Sequence, residues 1–316
     1  MWATRPPGPG VAAAAAALAL RVHTLAPWRG GFPRSGTFVL IGVYWHGELG
    51  RWRYAARPRR KVVVYNTRDP AFFADVARRL ADCRGSAPVE VVYAGEDSRR
   101  DLDLPGVVEP SPIDLERFRP SVSAPASNAG SLVGAGFVVG RMSRAAPLKF
   151  HPADPALFTA LAAEGMRLRL MGATCLPGLA DVPGIEVLPT GAEPPERFLR
   201  SLDCFLYRTD PGWIEAFGRV VFEAMACALP VVCGRHGGYA RWIEHGRNGF
   251  LFESGDEARA IMRDLRGDAA LRARIGGAAR DTVRRMYDGH AQRLRDFYLA
   301  PGPVVAPPVV ALPGTE

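Results

Sequence analysis

A series of short, almost purely apolar runs set between helix-length stretches is what most limits the fold of this chain. Lys61–Tyr65 (KVVVY), Val89–Tyr93 (VEVVY), Phe137–Gly140 (FVVG), Arg167–Met171, Ile185–Leu188, Cys204–Tyr207 (CFLY) and Pro230–Cys233 (PVVC) are the clearest of them. A strand with one solvated face alternates polar with apolar residues, whereas near-continuous Val, Leu and Ile runs belong to strands covered on both faces. The covering layers are expected at Pro70–Ala81, Pro155–Glu164, Pro195–Leu202, Gly218–Cys227 and Asp256–Asp264, followed by a long helical stretch from Ala269 to Leu299. Strands and helices in alternation predict parallel sheets in an α/β fold.

The series is interrupted once, by Ser121–Gly136, which is rich in Ser, Ala, Gly and Pro and has no periodicity. At about 100–200 residues per domain, the 316 residues accommodate a domain on either side. The expected boundaries are an Ala/Pro/Gly-rich segment over 1–30, a shortened Rossmann-like domain over 31–120, a linker over 121–136, and a second Rossmann-like domain over 137–288. A terminal helix over 289–300 and a Pro-rich tail over 301–316 follow. In the first domain Arg21–Ala26 reads as a short strand, Thr37–Tyr44 as a buried one, Gly47–Arg57 as a helix stopped by Pro58, and Gly106–Glu109 as the last strand before a turn at Asp114–Phe118. Sheets of this kind bind ligands beyond the carboxyl ends of their strands, and with two of them the natural site is the cleft they face.

Composition narrows the partners. Only Lys61 and Lys149 are lysines, so 38 of the 40 basic residues are arginine, and a chain-wide arginine bias is weak support for nucleic-acid binding. One basic cluster exists: Arg51, Arg53, Arg57, Arg59, Arg60 and Lys61, with Trp52 and Tyr54 between. It reads either as a solvated helix face or as a peripheral contact with anionic lipid headgroups, and no nucleic-acid module accompanies it. The five cysteines are odd in number and lack CxxC spacing, which favours a reducing, cytoplasmic compartment and no zinc site. The apolar run Val11–Leu20 is too short to span a bilayer. Being nearly all alanine, it reads as a helix rather than a signal sequence.

The chemistry is expected in Glu215-Ala-Phe-Gly-Arg-Val-Val-Phe-Glu223-Ala-Met-Ala. Gly218 opens a helix whose free N–H groups and dipole favour an anion. Read along a helix, Glu215 and Glu223 stand up to about 12 Å apart, beyond the roughly 6.5–9.5 Å of an acid/base carboxylate pair. That spacing suits the two ends of one elongated ligand.

With these residues the chain resembles the GT-B glycosyltransferases of the family-4 type, which carry an E-x7-E signature. Phe137-Val-Val-Gly-Arg141 followed by Lys149 is similar to that family's strand ending in Gly-Arg with a later lysine. Asp203–Tyr207 resembles the strand before the first glutamate. Cys233–Leu251, with Gly237, Gly238, Glu244, Gly246, Asn248 and Gly249, resembles the glycine-pair loop and the turn after it. Ser111–Pro120 is similar to the segment closing the family's first domain. The resemblance implies two Rossmann-like domains with parallel sheets facing a cleft, the first an acceptor-side domain and the second a binding domain for a nucleotide-diphosphate sugar. It implies hexosyl transfer to a hydroxyl of a saccharide or lipid-linked acceptor, with retention and without a metal or other cofactor. Arg141 and Lys149 would meet the donor diphosphate. Glu215 would contact the hexose, with Phe217 and Gly218 offering N–H groups, and Glu223 would take the ribose. Gly237 and Gly238 would line the donor site or simply form a turn, and His46 would touch the hexose or be a solvated loop residue. Asp101-Leu-Asp103 matches the DxD pattern of metal-using transferases only by coincidence of letters.

The resemblance is incomplete at the front. The family's opening strand and glycine-rich loop are not found before Val11, so the expected first strand is missing or replaced by Pro-Gly sequence, as a start site set too late would produce. A sugar-nucleotide-binding protein without transfer, or an epimerase or hydrolase of the same fold, are the alternatives.

Overall fold

The computed structural model describes residues 2–3, 23–24, 35–41, 57–81, 87–102, 104, 106–120 and 136–300. The chain divides into two compact units, one of residues 1–109 and 292–316, the other of residues 110–291. The expected helices at Val11–Leu20 and over most of Gly47–Arg57, nearly all of the linker, the tail and His46 lie outside the described residues.

In the first unit β1 (Trp2–Ala3) pairs in parallel with β2 (His23–Thr24). A strand thus does precede Val11, contrary to the expectation that it was missing. Strands β3 (Thr37–Ile41), β4 (Arg60–Tyr65), β5 (Val89–Tyr93) and β6 (Gly106–Val108) form a four-stranded parallel sheet in that order. The expected burial of the first strand is not met. Among the described residues β3 is an edge strand, and Val39 and Ile41 are 40% and 72% exposed. Two inner strands carry the core: Val63, Tyr65, Val91 and Tyr93 pack with Phe73, Val76 and Leu80 of the helix Pro70–Ala81. On the other face Val62, Val92 and Val107 meet Phe297 of the helix His290–Leu299.

The basic cluster is split by this sheet. Arg60 and Lys61 are 1% and 2% exposed because they open β4, so they present no charge to a lipid surface. Arg57 and Arg59 are exposed, and Arg51 and Arg53 are not among the described residues. Of the DxD letters, Asp101 forms a two-bonded pair with Arg68 at 2.7 Å. It sits in a helix, Glu96–Leu102, that the sequence reading omitted.

The second unit holds a six-stranded parallel sheet of β7 (Val138–Met142), β8 (Arg167–Met171), β9 (Ile185–Leu188), β10 (Cys204–Tyr207), β11 (Val231–Gly234) and β12 (Phe250–Phe252). Its order, β12-β11-β10-β7-β8-β9, reverses between β7 and β10, the crevice where doubly wound sheets bind ligands. β12 was not expected as a strand. The long terminal stretch is two helices, Ala269–Met286 and His290–Leu299, broken at Gly289 with φ +64°. Residues 110–120, expected to close the first domain, belong to the second unit. Arg200 donates to the carbonyls of Arg117 and Arg119, and Tyr287 Oη donates to Ser111 O.

Candidate functional site

The strand ends that flank the reversal bring together residues distant in sequence. β10 is wholly buried and delivers Tyr207 to the start of a loop, 208–218, that carries Trp213 and Glu215. After β7 the chain makes a single turn at Pro147–Lys149, and Phe150, 2% exposed, anchors it to the core. Lys149 Nζ and Glu215 Oε1 meet there as an ion pair, their side chains 12% and 14% exposed. Tyr207 Oη (3.2 Å) and Trp213 Nε1 (3.1 Å) donate to the same Glu215 oxygen, and the ammonium lies 4.5 Å from the Trp213 ring centroid. Burial lowers the Lys149 pKa, although the Glu215 carboxylate opposes the shift. Tyr207 is raised well above the usual phenol value by burial and by Glu215, so it stays a hydrogen-bond donor.

Glu215 does not stand on a helix. The helix is Arg219–Ala226, with Gly218 as its N-cap at φ +81°, and the spacing argument based on helical rise therefore applies only beyond Gly218. The glycine pair explains how the preceding turn is held. Gly238 N donates to Glu215 O at 2.8 Å, and a Cβ at Gly238 would come 2.1 Å from Ala216 O, so only glycine permits this approach. Gly218 and Gly237 both pack against the buried Tyr239 ring. Phe217 is buried and stacks on Phe222 at 4.4 Å. The glycine pair thus shapes the turn that carries Glu215.

Glu223, 5% exposed, lines a cavity of about 410 Å³ formed within the second unit by the ends of β7 and β8, Thr190 and Gly191 after β9, and the start of the helix Arg219–Ala226. Its carboxylate meets Arg219 Nε at 3.0 Å. Burial nevertheless raises its pKa to about 7, with Arg219 and Arg117 pulling the other way.

Arg141 is placed differently from what its sequence context suggests. It is 1% exposed, donates to Arg208 O at 2.8 Å and to Lys149 O, and its guanidinium lies 4.2 Å and 4.6 Å from the Phe150 and Tyr207 ring centroids. It ties the two site loops together from beneath. A second buried tie, Arg208 Nε to Asp154 Oδ1 at 2.6 Å, does the same one layer on. Asp154 also accepts from His151 N. The sequence reading missed Tyr207, Trp213, Arg208 and Asp154. The only signal for Trp213 was an aromatic residue in a polar loop two positions before Glu215; the others looked like strand and helix boundaries. Among the described residues no group of three His, Cys, Asp or Glu side chains is placed to hold a metal ion, and no helix is long and apolar enough to cross a membrane.

Comparison with known proteins agrees with the motifs. Residues 185–282 match the family described as Glycosyl transferases group 1. A D-inositol 3-phosphate glycosyltransferase of Acidothermus cellulolyticus is 29% identical over 251 residues, covering 69% of this chain and 54% of its own length. The chain thus spans about half of that relative. A sucrose-phosphate synthase of Thermosynechococcus elongatus superposes with TM-score 0.64 at 17% identity, over 86% of this chain and 74% of the other. Anabaena Alr3699/HepE, solved with UDP and glucose, superposes with TM-score 0.60 at 20% identity, over 77% and 72%. The fold is that of the GT-B glycosyltransferases, and the match to the group 1 family lies within the second unit, over residues 185–282.

Proposed function

We propose that the chain transfers a hexose from a nucleotide-diphosphate sugar to an acceptor hydroxyl, with retention of configuration. The observation that carries the reading is the Lys149–Glu215 pair, held at the reversal of the second sheet. A cation and a carboxylate locked together are what a nucleotide sugar can exchange into. The diphosphate takes the ammonium and the hexose hydroxyls donate to the carboxylate. Lys149 then offsets the charge that grows on the leaving diphosphate, which is where fixed positive charge lowers a barrier most. Glu223, which lines the 410 Å³ cavity, accepts from the ribose hydroxyls, and the N–H groups around Phe217 and Gly218 face the same ligand. The departing phosphate oxygen takes the acceptor proton, so the protein supplies no separate base and the charge compensation is organic rather than metallic. The UDP and glucose bound by the Anabaena protein favour a hexose donor of that kind. A saccharide or lipid-linked hydroxyl on the cytoplasmic side is the matching acceptor class.

The test is acceptor-dependent release of nucleoside diphosphate, present in the wild type and lost in Glu215→Ala and Lys149→Ala. Nucleotide binding with no turnover over a broad acceptor panel would reduce the chain to a binding protein. Release without an acceptor would make it a hydrolase.

A further inference from the structure

We propose that Leu148 and Ile214 select an acceptor whose hydroxyl is carried on a lipid, by meeting its aliphatic chain; the proposal rests on the nucleotide-sugar reading of the site and names the acceptor class for it. Among the described residues of the second unit, these two are the only large hydrophobic side chains left exposed, at 50% and 47%. A single exposed leucine on a surface is ordinary. Here each of the two stands next in sequence to a member of the Lys149–Glu215 pair, one on either loop. The loops are joined beside them, where Asp210 N donates to Leu148 O at 3.3 Å. Pro147 and Pro211, also exposed, add apolar surface on the same two loops.

Their place along the chain says which end of the reaction they would meet. The cavity of about 410 Å³ that Glu223 lines is bounded by Ser143 and Arg144 on one side and by Arg219 and Val220 on another, and by no residue of 145–149 or 208–218. Leu148 and Ile214 therefore lie outside the cavity assigned to the nucleoside and beside the pair assigned to the diphosphate and hexose, where the acceptor hydroxyl has to approach. The other side chains of the loops decide its chemistry. A bare saccharide brings hydroxyls, which need polar partners when they are buried. Here the polar groups serve the loops themselves: Thr209 Oγ1 donates to Trp213 O (2.9 Å), Asp210 Oδ1 accepts from Gly212 N (2.7 Å), and Ser143 Oγ donates to Arg144 O (3.0 Å). Trp213 holds Lys149 over its ring and Glu215 through its Nε1–H, and Arg144 lines the cavity. What the loops offer an acceptor is branched aliphatic surface, which suits a hydrocarbon chain. Their backbone is also fixed in advance. Pro147–Lys149 is a helical turn, and Trp213 N donates to Asp210 O at 2.9 Å across a turn with Pro211 at its second position, a position that proline presets. A side chain standing on ordered backbone loses little further freedom when a ligand covers it.

The experiment is calorimetric titration of the full chain, with and without UDP, using methyl and octyl glycosides of glucose, galactose and mannose, the octyl members below their micelle concentration. The octyl glycosides are expected to bind about tenfold tighter than their methyl partners or better, since half of each aliphatic side chain is still open to burial. Leu148→Asn and Ile214→Thr, each close in size to the residue replaced, should cut the octyl-to-methyl ratio about three- to fivefold singly and bring it near one together. UDP affinity and the melting temperature of the free protein should stay at their wild-type values. An octyl-to-methyl ratio near one in the wild type overturns the assignment, as does a preference that survives both substitutions. A double variant that melts well below the wild type overturns it too, because the side chains then serve packing. A wild type whose UDP titration shows no binding removes the nucleotide-sugar reading instead, whatever the octyl-to-methyl ratio.

Discussion

The two units bury charge in opposite ways. In the first, Arg60 and Glu90 stand at the amino ends of β4 and β5, each 1% exposed, in a two-bonded pair at 2.8 Å. Arg60 also donates to Phe297 O and Ala300 O and lies over the Phe297 ring. Glu109, after β6, is held by Arg293 of the same terminal helix. These charges are engaged with one another or with that helix, and they fasten it to the sheet. In the second unit the charged groups gather at the carboxyl ends of β7 and β10, and several are incompletely compensated. Lys149 is shifted down and Glu223 is shifted up to about 7. Buried charge that is fully paired, such as Arg60–Glu90 or Arg208–Asp154, builds the frame; incompletely compensated charge beyond the carboxyl ends of β7 and β10 is available to a ligand.

Breaking the frame should give the largest effect. Arg60→Ala takes the two-bonded guanidinium away from the buried Glu90 and a donor away from the carbonyls of Phe297 and Ala300, so chemical denaturation should show a loss of about 3–5 kcal/mol. Nucleotide affinity at a temperature where the protein remains folded should not change. Replacing both partners by apolar residues, Arg60→Met with Glu90→Leu, should recover most of the stability. If the double variant also loses nucleotide binding, the division between frame and site is wrong.

At the site the expected signature is reversed. Glu215→Gln or Lys149→Ala should lower acceptor-dependent turnover about 10²–10³-fold, with a small change in denaturation midpoint. The double variant should be scarcely worse than either single one, because the two side chains act as a unit. Additive losses would mean that they contribute separately and that their pairing is incidental.

The pH response of Glu223 sharpens the contrast further. Its folded pKa lies above its unfolded value of 4.5, so the folded state holds the proton more tightly. Stability associated with this group is full below pH 4.5 and falls as pH rises to about 7. Glu223→Gln should therefore match the wild type near pH 4 and exceed it at pH 8 by up to about 3 kcal/mol. Nucleotide binding should respond with the opposite sign, tightening in the wild type as the carboxylate forms above pH 7 and losing that dependence in the glutamine variant.

How much of this was legible in the sequence follows from the same physics. Strands such as Val89–Tyr93 and Cys204–Tyr207 were found to the residue, because burial on both faces leaves an unbroken apolar run. β12, three residues long, and the helix Glu96–Leu102 lack such a run. By composition Ala269–Leu299 reads as one helical stretch, and the expected terminal helix over 289–300 begins at Gly289, where the two helices part. At the candidate site, the motif names Glu215 and Lys149, which the structure pairs, and Glu223, which lines the cavity, but it could not tell that Arg141 bonds to backbone carbonyls. That depends on Phe150, Tyr207 and two carbonyl groups brought together only by the order of β7 and β10. The basic cluster misled for the opposite reason. Arg60 and Lys61 read as surface charge, and the burial of Arg60 depends on Glu90 and on a helix more than two hundred residues away.

The smallest expected effect isolates one hydrogen bond. Trp213 faces Lys149 with its ring and donates Nε1–H to Glu215, so it touches both members of the pair. Trp213→Phe keeps an aromatic face near the ammonium and removes only the donor, while Tyr207 continues to hold the same oxygen. With one of two neutral donors gone, the loss should be about 1 kcal/mol, or roughly fivefold in turnover, with stability unchanged because the loop is partly exposed. Tyr207→Phe removes the other donor, but from a buried strand end, and should cost stability as well as turnover. If the two variants behaved alike, loop and strand would contribute to the site in the same way, and the distinction between frame and site would fail within the second unit too.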